Sequence, residues 1–288
     1  MKRIRKAVLP VAGLGTRVLP AAKTTPKNLL TVVDRPILSY VVAEGRAAGI
    51  EHFIFIVGRG QSMIEDYFDH HVELETQLAA KNKTAILDDL NGELGKPGEM
   101  SFVRQMQPLG LGHAVWCARD LIGDEPFAVM LPDMLMAAQP GALSQAIAAH
   151  DKVGGNIVVV EPAPEGEAHK YGIVALSKRE GRLGTMTGMV EKPAPGTEPS
   201  NLFISGRYIL QPEIFEALSA HEKGAGGEIQ LTDGMVKLMQ SQVFHALEYD
   251  GVTYDCGDKL GLLRANVAYA LARPDLAQGA RAMLKAML

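Results

Sequence analysis

Short β-rich runs recur through the first half of this chain, at Ala7 to Val11, His52 to Val57, Ser101 to Arg104, Phe127 to Leu131 and Asn156 to Val160, with helical stretches between most of them. This alternation constrains the fold more than any other feature. A strand, a covering helix and a further strand close as a parallel pair, and repetition builds a sheet with helices on both faces. The stretch Ile37 to Ala48 shows the helical signature: it opens after Pro36 and closes at Gly49, with proline at entry and glycine at exit. The expected class is α/β, a Rossmann-like, mostly parallel mixed sheet flanked by helices.

After about residue 160 the runs shorten, to Gly172–Leu176, Met186–Val190 and Phe203–Leu210, between Gly/Pro-rich turns such as Pro193 to Pro199. Helical patterns return at Pro212 to Leu218, Leu231 to Ser241 and Lys259 to Ala272. No stretch of linker composition separates the halves, so a single domain over residues 1–288 is expected, its sheet continued into a small β-rich extension. Its parts are a first half to about residue 160, a second from about 161 to 260, and C-terminal helices from about 261 to 288. Ala277 to Leu288 is rich in Ala, Leu and Met at helical spacing. That much apolar surface is expected to dock on its own subunit or on another.

Composition narrows the partners. A net charge of -4 supplies no basic footprint for nucleic acid. The basic start, Met1 to Lys6, followed by apolar residues resembles an export signal, but Pro10, Gly13, Gly15 and Arg17 interrupt the run, and no run approaches membrane-spanning length. A cytoplasmic protein without membrane partners is expected. Cys117 and Cys256 are far apart and show no metal or redox spacing, which agrees with a reducing compartment.

The first strand runs into Ala12-Gly13-Leu14-Gly15-Thr16-Arg17, followed by Pro26-Lys27. A glycine-bearing turn exposes backbone N–H groups, and an arginine and a lysine supply positive charge, a means of holding a nucleoside triphosphate. The turn is neither a P-loop nor a dinucleotide fingerprint, because Val18 stands where a third glycine is required. Glycines also serve plain strand-to-loop turns, and the basic pair favours the phosphate reading. Phe127 to Leu131 leads into Pro132-Asp133, where an aspartate at a strand's carboxyl end can hold a hard cation. Alone, Asp133 reads equally as a turn residue. Asp255, in Asp255-Cys256-Gly257 after the run Gly251 to Tyr254, tips the balance toward a magnesium site of two carboxylates, triphosphate oxygens and water.

Gln105 ends another strand, and Gly110 to Ala114 opens the next helix. An amide can donate to and accept from a pyrimidine edge, and the glycines would let backbone approach a flat base. His113 reads as structural, since nothing in the sequence supplies a partner that would orient it as a base. Glu191-Lys192-Pro193 follows Met186 to Val190. Its carboxylate can accept two sugar hydroxyls and its lysine can hold a phosphate, although as an isolated tripeptide it reads as a surface turn.

Taken together, Ala12 to Arg17, Pro26-Lys27, Gln105 with Gly110 to Ala114, Pro132-Asp133, Tyr171-Gly172, Glu191-Lys192-Pro193, Ser200-Asn201 through Gly206-Arg207-Tyr208, Gly226 to Asp233 and Asp255-Cys256-Gly257 resemble the bacterial UTP:glucose-1-phosphate uridylyltransferases, or UDP-glucose pyrophosphorylases. The motifs follow that family's order across nearly the whole chain. Glu228 to Asp233 with Asp255-Cys256-Gly257 resembles the bacterial uridylyltransferase type specifically. The Gly-x-Gly-Thr-Arg turn and Glu191-Lys192-Pro193 are shared with the wider sugar-phosphate nucleotidyltransferases. The resemblance implies that Ala12, Gly13, Gly15, Gln105 and Gly110 bind the nucleotide, and that Arg17 and Lys27 hold its triphosphate. It further implies that Asp133 and Asp255 bind Mg²⁺, that Gly172, Glu191 and Gly206 bind glucose, and that Lys192 holds the sugar phosphate. The implied reaction is attack by glucose 1-phosphate on the α-phosphorus of UTP, giving UDP-glucose and pyrophosphate, in a homo-oligomer, commonly a dimer of dimers. A glucose-1-phosphate thymidylyltransferase and a non-catalytic sugar-nucleotide-binding homologue are the rival readings. One departure matters: Asn28 and Thr31 stand where the family pattern has glutamate and proline, and Asn28 is expected beside the nucleotide pocket.

Overall fold

A computed structural model describes residues 2–287. Strand β1 (Lys6–Pro10) is followed by three short 3-10 turns, a two-residue ribbon of β2 (Thr31–Val32) and β3 (Arg35–Pro36), and helix α1 (Ile37–Ala47). Then come β4 (His52–Val57), α2 (Ser62–Tyr67), α3 (Val72–Ala80), α4 (Thr84–Glu93), β5 (Met100–Arg104), α5 (Leu111–Trp116) and α6 (Arg119–Ile122). β6 (Phe127–Met130), β7 (Met134–Ala137), α7 (Ala142–Val153) and β8 (Asn156–Pro162) lead to β9 (Gly172–Glu180), β10 (Leu183–Glu191) and β11 (Leu202–Leu210). The chain continues through α8 (Ile214–Ser219), α9 (Leu231–Leu238), β12 (Phe244–Glu248), β13 (Val252–Asp255), α10 (Lys259–Ala272) and α11 (Ala277–Met287).

Nine strands form one sheet in the order β5-β4-β1-β6-β11-β8-β12-β10-β9. The expected parallel arrangement holds for β5, β4, β1 and β6. β11 then inserts antiparallel between β6 and β8, and β10 and β9 form an antiparallel edge. The late strand β11 thus lies at the sheet's centre, so residues before and after about 160 share one hydrogen-bonded layer.

The continuous apolar runs follow from burial on both faces. In β1, Ala7 and Leu9 enter one core with α1 and α7 while Val8 enters the other with α5, α8 and α9. In β4, Phe53, Phe55 and Val57 face the first core, and Ile54 and Ile56 the second. Period-two alternation therefore persists even where every residue is apolar.

β7, β12 and the short β2–β3 ribbon were not legible as strands. β7 is separated from β6 only by the Leu131-Pro132-Asp133 turn, and its partner is β13, distant in sequence. The helix at 277–288 forms as α11 over Ala277–Met287, with Leu288 outside the described residues. It packs beside α10 but buries no residue, leaving Met283 56% and Met287 75% exposed. Docking on its own subunit does not cover its apolar side.

At Gly45 helix α1 lies close against β4 of the sheet. A Cβ there would lie 2.5 Å from Phe53 Cε1, and that ring is fully buried. Gly45→Ala gains helix propensity of about 1 kcal/mol but overpacks a filled core, at about 1–3 kcal/mol. Because the contact is far inside van der Waals distance, urea denaturation should show a net loss of stability. A midpoint equal to or above wild type would contradict this packing.

Candidate active site

The carboxyl ends of β1 and β5 lie on one edge of the sheet, and the loops leaving them, joined by Glu228, build a cavity of about 370 Å³ lined by Ala12, Gly13, Gly15, Gln105 and Gly110, among others. The structure thus brings together the five residues expected to hold the nucleotide. Gly15 is left-handed, at φ 65°, and a Cβ there would lie 2.9 Å from Lys27 Cβ; at Gly13 it would lie 3.3 Å from Lys27 Cε. The two glycines therefore clear a path for the aliphatic part of Lys27 across the loop.

Gly110 lines the cavity as expected, and with Gly112 it also does a packing job that was not foreseen. A Cβ at Gly110, where φ is 111°, would lie 2.7 Å from the Ile229 carbonyl, and one at Gly112 would lie 2.9 Å from the backbone of Gln230. Gly112 N–H donates to Ile229 O at 2.8 Å, and Ile229 N–H to Leu109 O at 2.7 Å. These glycines seat the start of α5 against residues 229–230. Asn28, expected beside the pocket, is fully buried and is not among the lining residues. Its Nδ2 donates to Val11 O at 3.2 Å, and Gln61 Nε2 donates to the same oxygen at 3.1 Å. The pair pins the chain just before Ala12, so Asn28 acts beneath the loop.

Asp133 and Asp255 meet through the β7–β13 ribbon, in which Asp255 pairs with Met134 and Cys256 N–H donates to Asp133 O at 2.8 Å. Gly257 sits between the carboxylates: a Cβ there would lie 2.8 Å from Asp255 Oδ1, 2.9 Å from Asp133 Oδ2 and 2.5 Å from Arg17 Nη2. Two cations face them. Lys27 Nζ lies 2.5 Å from Asp133 Oδ2, and Arg17 Nη1 3.4 Å from Asp255 Oδ2. Burial alone would raise the Asp133 carboxyl, but the charge and hydrogen bond of Lys27 outweigh it and hold Asp133 below the usual range. At Asp255 burial and the negative charge of Asp133 prevail over Arg17 and push its pKa up. Two converging, partly desolvated carboxylates fit a hard dication that completes its shell with water and phosphate oxygens. No cluster of three or more His, Cys, Asp or Glu side chains suited to a metal occurs among the described residues.

Beneath this cluster lies a residue whose role was not legible in the sequence. Arg207 is fully buried, and its guanidinium donates to Leu131 O at 3.0 Å, Met134 O at 2.9 Å and Gly206 O at 3.2 Å, and to Glu44 Oε2 at 2.7 Å. Leu131 and Met134 flank the Pro132-Asp133 step, so Arg207 sets the turn that carries Asp133. Glu44 Oε1 also accepts from Leu143 N–H at 2.9 Å, tying α7 to the same point. Its sequence signals were a charged residue inside the apolar run of β11 and its place in the Gly206-Arg207-Tyr208 string, neither of which names its partners.

The second group forms where β9, β10 and β11 meet. Glu191 Oε2 accepts from Thr232 Oγ1 at 2.8 Å, and a Cβ at Gly172 would lie 2.9 Å from that same oxygen. Thr232 is an unforeseen partner, although it lies in the string that carried the resemblance. Lys192 is left-handed at φ 49° and its N–H donates to Tyr171 O at 2.9 Å. A non-glycine residue there is strained, and its exposed ammonium lies 3.9 Å from Glu191 Oε1. Gly206, at φ 87°, forms a break in β11 register against β8, and a Cβ would lie 3.0 Å from Leu131 Cβ. Tyr171, Met134 and Asp255 line one cleft of about 460 Å³, which links this group to the carboxylate pair.

Residues 6–271 match the profile of the nucleotidyl transferase family. The chain is 45% identical over 276 residues to a UTP–glucose-1-phosphate uridylyltransferase of Bacillus subtilis, covering 96% of this chain and 94% of that protein. It is 41% identical to one of Staphylococcus epidermidis, covering 99% of both. Among solved structures, a UTP-bound UGPase from Acinetobacter baumannii superposes with a TM-score of 0.90 at 42% identity over 98% of each chain. A UDP-glucose pyrophosphorylase complexed with UDP-glucose superposes with a TM-score of 0.83 at 38% identity, over 94% of this chain and 100% of that one.

Removing one partner of a buried ion pair leaves the other charge uncompensated, at about 3–5 kcal/mol. Glu44→Ala should therefore destabilise the protein by about that amount in urea denaturation, since Arg207 has no access to solvent. A loss below about 1 kcal/mol, the size of an exposed pair, would show that the pair does not anchor this edge.

Proposed function

The chain belongs to the nucleotidyl transferase family, and we propose that it forms UDP-glucose and pyrophosphate from UTP and glucose 1-phosphate, with Mg²⁺ as the metal. The observation that carries the reading is the Lys27–Asp133 and Arg17–Asp255 cluster, in which Lys27 packs against Gly13 and Gly15 of the nucleotide cavity and Asp255 shares a cleft with Tyr171, whose carbonyl accepts from Lys192 N–H. Charge of both signs lies where a triphosphate and a sugar phosphate would meet.

In this reading the backbone of Ala12 and Gly13, with Gln105 and Gly110, holds the uracil, and Gly15 shapes the turn. Lys27 and Arg17 take triphosphate oxygens, and Asp133 and Asp255 would hold Mg²⁺, which supplies neutralisation of phosphate charge and orientation of the triphosphate. Glu191, oriented by Thr232, accepts sugar hydroxyls beside the Gly172 and Gly206 backbone. Lys192 holds the sugar phosphate, whose oxygen attacks the α-phosphorus in line and expels pyrophosphate. A phosphate monoester is already anionic near neutral pH, so no protein base is needed. Catalysis rests on positioning and charge neutralisation.

A cytoplasmic homo-oligomer, dimer or tetramer, completes the proposal. The free thiols Cys117 and Cys256 and the uncovered apolar side of α11 support it, and no helix among the described residues is long and apolar enough to cross a membrane. Pyrophosphate release with UTP or dTTP and a panel of sugar 1-phosphates tests the reaction; protein that binds UDP-glucose but forms none would refute it.

Asp133→Asn removes charge without changing volume and should cost about 3–4 kcal/mol of barrier, or about 10²–10³ in rate, with the fold intact by circular dichroism. Near-normal turnover at saturating Mg²⁺ would sink the metal assignment. Lys192→Met should weaken glucose 1-phosphate binding and turnover while UTP affinity measured by calorimetry is retained. The opposite pattern would place Lys192 on the triphosphate.

A further inference from the structure

Gln105 Nε2 lies 3.2 Å from Gly110 O and 3.0 Å from His113 Nδ1. A backbone carbonyl can only accept, so the Gln105 atom facing Gly110 O is the amide nitrogen, and its second hydrogen points to His113. His113 Nδ1 must then be an unprotonated acceptor, with any ring hydrogen on Nε2. Both amide hydrogens are spent inside the protein. Gln105 is nearly buried yet lines the cavity, and what it has left to offer there is its amide oxygen.

We infer that His113 is a positioning residue for base selection: by accepting from Gln105 it locks the amide with its oxygen toward the cavity, favouring a pyrimidine that carries a hydrogen on N3. Uracil and thymine have that hydrogen. Cytosine presents a lone pair there and meets the oxygen unfavourably. The inference rests on the uridine-nucleotide reading above and adds the group that enforces it. It also accounts for a histidine that has no place in the chemistry.

The surroundings keep His113 neutral. It is buried on α5, His221 from the loop after α8 meets its ring edge-on at 5.4 Å, and Cys117 Sγ lies 3.9 Å from Nδ1. Arg119 of α6 sits over Trp116 at 3.7 Å. β1, α8 and α9, which also pack on α5, supply apolar side chains to the shared core. Burial, then His221 and Arg119, push the His113 imidazole below its ordinary value. Lowering the pH past that point places a donor against a donor, and Gln105 must turn or move away.

Calorimetric binding of UDP-glucose and CDP-glucose tests this, because their phosphates do not titrate across the histidine range of about pH 5–8. Wild type should prefer UDP-glucose. His113→Leu should lower the UDP:CDP preference by about tenfold, the scale of one lost hydrogen bond. His113→Asn, whose amide oxygen can return near the Nδ1 position, should keep the preference within about threefold. The wild-type preference should fall on the acid side while that of His113→Asn stays flat. A folded His113→Leu with unchanged preference, or a wild-type preference flat through the acid range, would overturn the inference. If His113→Leu does not fold, the asparagine variant and the pH series decide. Wild-type protein that fails to bind UDP-glucose at all would instead overturn the uridine-nucleotide reading itself.

Discussion

A buried guanidinium holds the working edge of this sheet in register. Arg207 is withdrawn from water at the centre of β11, where an uncompensated charge would cost several kcal/mol. It is tolerated because three backbone carbonyls and the Glu44 carboxylate surround it. Those carbonyls belong to the turn that presents Asp133 and to the Gly206 break in β11, and Glu44 belongs to α1 while also receiving Leu143 N–H of α7. One ion pair thereby joins four elements, and a shift in any of them would leave a buried donor or acceptor unpaired. Precision at the site is a consequence of that penalty.

Above this anchor the cluster alternates in sign. Lys27 reaches Asp133 because Gly13 and Gly15 leave the space its methylenes occupy. Arg17 reaches Asp255 because Gly257 leaves room beside both carboxylates. The glycines thus admit side chains as well as exposing backbone. For a reaction between two phosphates, such an arrangement offers preformed partners for charge of either sign at little reorganisation.

The two substrate-facing regions are set by polar contacts one layer back. Asn28 and Gln61 share the Val11 carbonyl beneath the nucleotide loop, Gly110 and His113 take the Gln105 amide, and Thr232 holds Glu191. Each supporting residue is buried or half-buried. Such groups persist only when their hydrogen bonds are met.

The sequence by itself determined the α/β class, the parallel strands β5, β4, β1 and β6, the helices α1, α8, α9, α10 and α11, and a set of candidate site residues. Unbroken apolar runs, glycine turns and charges at strand ends are local features, and local features carry those conclusions. Tertiary structure alone decided that β11 would enter the centre of the sheet, that β7 and β13 would form the ribbon bringing Asp255 to Asp133, and that Gly110 and Gly112 would receive residues 229–230. It also decided the roles of Arg207, Glu44 and Thr232. Each of these depends on partners distant along the chain, and a side chain's polarity and spacing do not reveal which remote carbonyl or carboxylate will meet it once the sheet closes.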